Sequence, residues 1–398
     1  MSAPEEVPTT SCSVCEMDVP AGKFCGYCGT HLSPRRGDGR PWLRLRTFAA
    51  GPGEHVLVPS VASSLFPHLG KHSRRPFRLG VVVLVVALIV FAILKWQAPL
   101  IAVSALGLPL LFHLYLQESD AYQVLPRRDL VIVAIVSVGL GIGWAWFTGG
   151  IIADSYDVAF GAGMEFKQPL WEGLVIPVAG AVLLLLPTVA ARLLRVGTQE
   201  TLDGFLIGTV AALSFVAAAT LTRLAPQFET GLTASDLPVS VLMTEAAIRG
   251  LLMSLIAAAT GGAVGAALWF KPDPAHKHGG EKLASPLTSL AVVLVAYAVL
   301  GVVDASPATQ SWEFAAYLIV AVLMVLWLRV VLHIALLREE HDPITPGEPL
   351  LCEHCGTVVP DMAFCPACGV ATRASSRVSR SARRETRPVR VEPPPETS

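Results

Sequence analysis

Residues 79–94 read "LGVVVLVVALIVFAIL", a run with no charge and no hydrogen-bonding side chain. About 20 such residues cross a 30 Å hydrocarbon core as an α-helix, which satisfies its own backbone where no water can. An amphipathic helix of a soluble core would show a polar face; this run has none. The remaining composition agrees. Only 15% of the 398 residues are charged, and the mean hydropathy is +0.57. Outward from this stretch, eight spans are predicted, at 79–96, 99–117, 129–149, 172–191, 203–222, 247–269, 286–304 and 312–334. One such run could be a buried soluble helix, but eight in succession could not. The first residues are polar and proline-bearing, so no cleavable signal peptide is expected. The predicted fold class is an all-α polytopic membrane protein.

Basic residues fall in every second connection. Arg74, Arg75 and Arg78 precede the first span, Arg127 and Arg128 the third, and Arg192 and Arg195 follow the fourth. Lys271, Lys277 and Lys282 lie between the sixth and seventh, and Arg338 follows the eighth. The alternate connections hold only Lys95, Lys167 and Arg223. Lysine and arginine concentrate on the cytosolic side, so both termini are expected there.

Each end carries the same small module. "CSVCEMDVPAGKFCGYCG" runs from Cys12 to Gly29 and "CEHCGTVVPDMAFCPACG" from Cys352 to Gly369. All 8 cysteines lie in these stretches: Cys12, Cys15, Cys25 and Cys28, then Cys352, Cys355, Cys365 and Cys368. Paired Cys-x-x-Cys knuckles at this spacing predict a tetrahedral four-thiolate site, hence two Zn²⁺ per chain. Two disulfides per module or a redox Cys-x-x-Cys are the alternatives; the same frame appearing twice favours zinc. So short a piece cannot build its own hydrophobic core, and metal must supply the folding energy. Gly29, Gly356 and Gly369 follow second cysteines, where positive φ eases the turn; Glu16 is the exception. His31 and His354 are read as surface residues beside complete ligand sets. Both stretches resemble the short zinc-ribbon family, whose usual form is Cys-Pro-x-Cys-Gly. "CPACG" matches it closely and "CSVCE" departs most.

These features divide the chain into an N-terminal ribbon (1–33), a connector (34–77), a helical membrane domain (78–338), a C-terminal ribbon (339–372) and a tail (373–398). Within the connector, Leu65, Phe66 and Leu69 stand beside a basic cluster. That mixture suits either an anionic membrane surface or a plain solvated linker. The Arg-, Ser- and Pro-rich tail is expected to be disordered, with membrane lipid as its nearest partner. A net charge of −1 gives no general attraction to nucleic acid.

Ionisable groups inside a membrane are costly unless paired, so each is a functional candidate. Glu245 and Arg249, four apart, share a helix face and are expected to pair. Asp203 and Glu172 open helices, where the dipole favours a carboxylate. Asp304 ends a span. His113 and His333 are expected to be satisfied by polar neighbours. Gly139 with Gly143, Gly204 with Gly208, and Gly261 with Gly265 form small-xxx-small pairs suited to close helix packing.

The order of motifs across the fourth to sixth spans resembles the PrsW family of glutamic-type intramembrane proteases. That family carries a Glu-Glu-x-x-Lys helix, an Asp-Gly-x-x-x-Gly stretch leading to Phe-x-x-x-Glu, then an Arg and a His-x-x-x-Thr segment. Here Asp203, Gly204, Gly208 and Phe215 match, and Arg249 and Thr260 fall in place. One of the paired glutamates is missing beside Glu172, and Ala219 and Ile256 stand where the second glutamate and the histidine belong. The resemblance thus implies a bacterial inner-membrane protein whose core has lost its catalytic groups, so no catalytic residue is assigned and Glu172 is the one weak candidate. The function expected is a scaffold for protein interaction or regulation through the ribbons, which are expected to bind a protein partner or each other. An intramembrane protease using Glu172, or a small-molecule or lipid transporter with Pro109, Pro177 and Pro187 inside its helices, are the alternatives.

Overall fold

The computed structural model describes residues 8–33, 48–51, 54–67, 74–118, 125–156, 171–194, 200–230, 237–272, 281–307, 309–339, 349–352 and 355–372. The 373–398 tail, His354, Leu69 and residues 34–47 of the 34–77 connector therefore lie outside the described residues, as does the side chain of Glu172. In chain order the elements are β1 (Thr9–Ser11), β2 (Asp18–Pro20), α1 (Val61–Leu65), α2 (Arg74–Ile93), α3 (Gln97–Glu118), α4 (Arg127–Tyr156), α5 (Ile176–Leu193), α6 (Thr201–Thr230), α7 (Val239–Ala246), α8 (Met253–Trp269), α9 (Pro286–Asp304), α10 (Gln310–Arg338), β3 (Pro349–Leu351) and β4 (Val358–Pro360). π-helical turns at Trp171–Val175 and Ala247–Leu252 open α5 and join α7 to α8. The chain divides into two units, Pro59–Glu339 and the two ends Met1–Val58 with Glu340–Ser398.

The larger unit is a helical bundle. Among the described residues it holds eight helices long and apolar enough to cross a membrane, α7 and α8 forming one of them. Several run beyond the lengths expected from sequence. α6 continues to Thr230, so Arg223 is a helical residue whose guanidinium donates to Thr148 Oγ1 of α4 (3.3 Å), not a loop cation. The first span instead stops early, at Ile93. Lys95 takes φ +55, with Trp96 N bonding to Phe91 O and Lys95 N to Ala92 O. These two bonds make a Schellman motif with lysine in the left-handed position usually filled by glycine.

The centre of the bundle is the crossing of α6 and α8. A Cβ on Gly208 would fall on the Gly261 carbonyl oxygen, and one on Gly261 on that of Gly208; Gly204 and Gly265 oppose each other in the same way. Two small-xxx-small pairs on antiparallel helices therefore interlock backbone to backbone, which any side chain would prevent. Gly139 and Gly143 behave otherwise, with nothing within 4 Å of either. The close approach of α4 to α6 is made by Gly141, set against the Phe215 carbonyl.

Polar groups freed by irregular backbone are recovered by neighbours. Pro109 of α3 deprives the Ala105 carbonyl of its helical donor, and Ser254 Oγ of α8 donates to that oxygen instead (3.2 Å). Ser104 Oγ donates to the Ala246 carbonyl at the start of the π-turn (2.9 Å). At one end of the bundle Arg192, in the last turn of α5, donates Nε to Leu268 O (2.9 Å) and covers the Trp269 ring, capping the end of α8. Glu339 accepts from Thr201 N (2.8 Å) at the same end. Asp203 there accepts from Glu200 N (3.4 Å), the helix-opening role expected of it.

Leu65 and Phe66 settle the connector's two readings in an unexpected way. Both are buried inside the bundle rather than lying on a membrane surface or in solvent. Phe66 meets Phe77, Phe112 and Tyr115, and Tyr115 Oη donates to Pro67 O (2.8 Å). The seam is sealed by Arg329 of α10, which is fully buried. Its Nη1 donates to Ser63 Oγ (2.7 Å), Ser64 Oγ (3.0 Å) and Ser60 O (3.4 Å). A cation at this depth is tolerable because α1 presents three oxygens to it.

Candidate metal centres

The two ends form the smaller unit, and each ribbon is built from repeated knuckles. In every knuckle the residue after the second cysteine donates its N–H to the carbonyl of the first. The four bonds are Glu16 to Cys12 (2.9 Å), Gly29 to Cys25 (2.9 Å), Gly356 to Cys352 (2.7 Å) and Gly369 to Cys365 (2.8 Å). All four donors have positive φ: 58° at Glu16, 72° at Gly29, 71° at Gly356 and 75° at Gly369. The turn aims two sulfurs at one point, and an antiparallel pair, β1 with β2 or β3 with β4, brings the knuckles together.

All eight cysteines are free thiols, and in each ribbon the four sulfurs lie within 4.8 Å of one another. The separations are 3.7 Å for Cys12–Cys28, 3.6 Å for Cys15–Cys25, 3.7 Å for Cys352–Cys368 and 3.9 Å for Cys355–Cys365. A tetrahedron with metal–sulfur bonds of about 2.3 Å has edges of about 3.8 Å. A disulfide would need about 2.05 Å. Each cluster can therefore hold a metal ion. Thiols this close compete for charge. The neighbouring Cys25 holds Cys28 down to about 5, while Cys28 pushes Cys25 far up; burial raises Cys368 to about 11 and Cys15 above its ordinary value. Four thiolates can share so small a space only around a cation. His31 stands outside the ligand set, with Nδ1 3.0 Å from Ser33 O and its ring edge-on to Phe24.

Every element of the second ribbon is 340 residues beyond its counterpart in the first, from Cys12 and Cys352 to β2 and β4. The two copies bind each other reciprocally. Phe24 N donates to Pro366 O (3.0 Å), and Phe364 N donates to Gly26 O (2.9 Å), where Gly26 is the counterpart of Pro366. A Cβ on Gly29 would lie 2.7 Å from the Phe364 ring, and one on Gly369 2.8 Å from the Phe24 ring. Each phenylalanine thus rests on the turn glycine that follows the last cysteine of the other ribbon. Met362 lies against Gly26 as its counterpart Gly22 lies against Pro366, and its longer side chain also packs on the first cysteine cluster. Such a self-complementary contact is what two-fold related copies make, realised here within one chain.

In the bundle the expected Glu245–Arg249 ion pair forms (3.3 Å), one turn of it π-helical, and Gln97 Nε2 donates to Glu245 (2.8 Å). His113 pairs with Gln117 (2.9 Å), and Asp304 accepts from Tyr317 Oη (2.9 Å). His333 is buried. Arg329 was not anticipated; its one signal was an arginine amid the apolar run "LIVAVLMVLWLRVVLHIALL". Sequence alone gave no hint that Phe24 and Phe364 meet the opposite ribbon. Compared with known proteins, the chain matches no family model, no curated protein and no solved structure.

Proposed function

We propose that this is a multi-pass membrane protein whose two ribbons hold one zinc ion each in the cytosol. There they act as a single module that docks a protein partner. The observation that carries this reading is the reciprocal pairing of the ribbons. It makes one composite surface from the two ends of the chain, and it requires both ends on the same side of the membrane, as an even number of spans does. Zinc fits best because four thiolates close the coordination shell, the arrangement of a structural rather than a catalytic site. A reducing compartment keeps the eight thiols available, and the alternation of basic connections favours the cytosol.

The bundle serves in this proposal as a non-catalytic, PrsW-like anchor. The residues shared with that family have packing and capping work: Asp203 at its helix start, Gly204 and Gly208 in the α6–α8 crossing, and Phe215 against Gly141. Ala219 and Ile256 are buried apolar side chains. Elemental analysis of the purified chain tests the zinc reading. Two zinc ions are expected, with the thiols reacting with an alkylating agent only after chelation. One ion or none, or disulfides in protein prepared from the cytosolic side, would overturn it. Proximity labelling from the ribbon, compared between the native chain and a Cys15→Ser/Cys355→Ser variant, tests the docking role. Neighbours labelled equally by both would remove the ribbons from it.

A further inference from the structure

We infer that the two cysteine clusters form one cooperative two-metal unit, in which filling either site prepares the other and emptying either releases both ends of the chain. The inference rests on the reading that each cluster holds zinc. Each ribbon has two three-residue strands and a core made largely of its own cysteines with Val19 or Val359. Nothing else in so small a piece can hold its knuckles closed, so the turns at Gly29 and Gly369 have their shape only while metal is bound. Those turns are the seats of the other ribbon's phenylalanines. Opening the Cys25–Cys28 knuckle removes the support under Phe364, and with it the Phe364 N–Gly26 O bond. It also uncovers Met362, which packs on the first cluster. The same holds in reverse for Phe24 on Gly369. A ribbon whose partner is already folded meets a prepared surface and loses less chain entropy when it binds metal, and linkage makes the effect equal in both directions.

The test uses the full chain in lipid nanodiscs, stripped of metal and titrated with Co²⁺ and Zn²⁺ against a competing chelator. The absorption of cobalt bound to thiolate counts filled sites. A fluorophore pair on the two ends reports whether they are held together. With the second site disabled by Cys365→Ser and Cys368→Ser, the first site is expected to bind metal at least about tenfold more weakly, a typical size for coupled sites. Energy transfer should then be lost even with the first site full. Phe364→Ser keeps all eight ligands and guards against misfolding as the cause. It should still bind two metals, but with the coupling reduced. If the first site keeps its affinity within about twofold when the second is disabled, the sites are independent and the coupling is wrong, while the zinc reading stands. If the native chain binds fewer than two metals, the zinc reading itself fails.

Discussion

Glu16 and Lys95 are the two non-glycine residues at positive φ among those described, and both sit where glycine would cost less. Glu16 closes the first knuckle; Lys95 ends α2. A left-handed L-residue costs about 1–2 kcal/mol, part of which glycine would return as unfolded-chain entropy. Glu16→Gly should therefore tighten the first ribbon by about 1 kcal/mol, raising the chelator concentration that half-empties it about fivefold. Lys95→Gly should raise the stability of the bundle by a similar amount without touching metal affinity. Ser64 lies at the opposite extreme. Its hydroxyl accepts from the buried Arg329 and donates to Ser60 O. Ser64→Ala leaves that guanidinium short of a partner and should cost about 1–3 kcal/mol in an SDS titration of the folded bundle. An unchanged midpoint would mean that the arginine finds another acceptor.

At the scale of elements, glycine spacing by itself did not separate a packing seam from an open face. Gly204/Gly208, Gly261/Gly265 and Gly139/Gly143 share one pattern, yet the first two interlock and the third faces open space. Gly208→Ala drives a methyl into the Gly261 carbonyl and should destabilise the bundle by about 1–3 kcal/mol, the usual cost of overpacking. Gly139→Ala meets nothing and should stay within about 0.5 kcal/mol, as exposed substitutions do. Equal effects of the two in the same titration would refute the crossing. The π-turn at Ala247–Leu252 belongs to the same contact region: Gly250 lies against Ser104, and only its missing side chain lets α3 come so close.

For the molecule as a whole, the two units draw stability from different sources. The bundle rests on apolar packing and interlocked backbones, and the ribbons, in the zinc reading proposed above, on metal. Stripping zinc with a strong chelator should open the eight cysteine thiols to alkylation while leaving the helical melting transition of the bundle within a few degrees of its native value. A single transition that moves with metal would show the units to be energetically joined. Reporters that work only in the cytosol should score at both termini.

The sequence by itself determined the class of the protein and its ligands. Eight apolar runs admit only membrane helices, because lipid offers the backbone no other partner, and eight cysteines in two equal frames mark two clusters that can each hold a metal ion. Helix ends were less legible. The hydropathy of α6 fades near Arg223, but the helix runs on because Thr148 receives that guanidinium. Only the tertiary structure decided which glycines meet, where Arg329 finds its oxygens, and that Phe24 and Phe364 are exchanged between ribbons. Those contacts join residues 53 to 345 positions apart, from Gly208 with Gly261 to Phe24 with Gly369, and nothing in the local sequence records what stands on the far side.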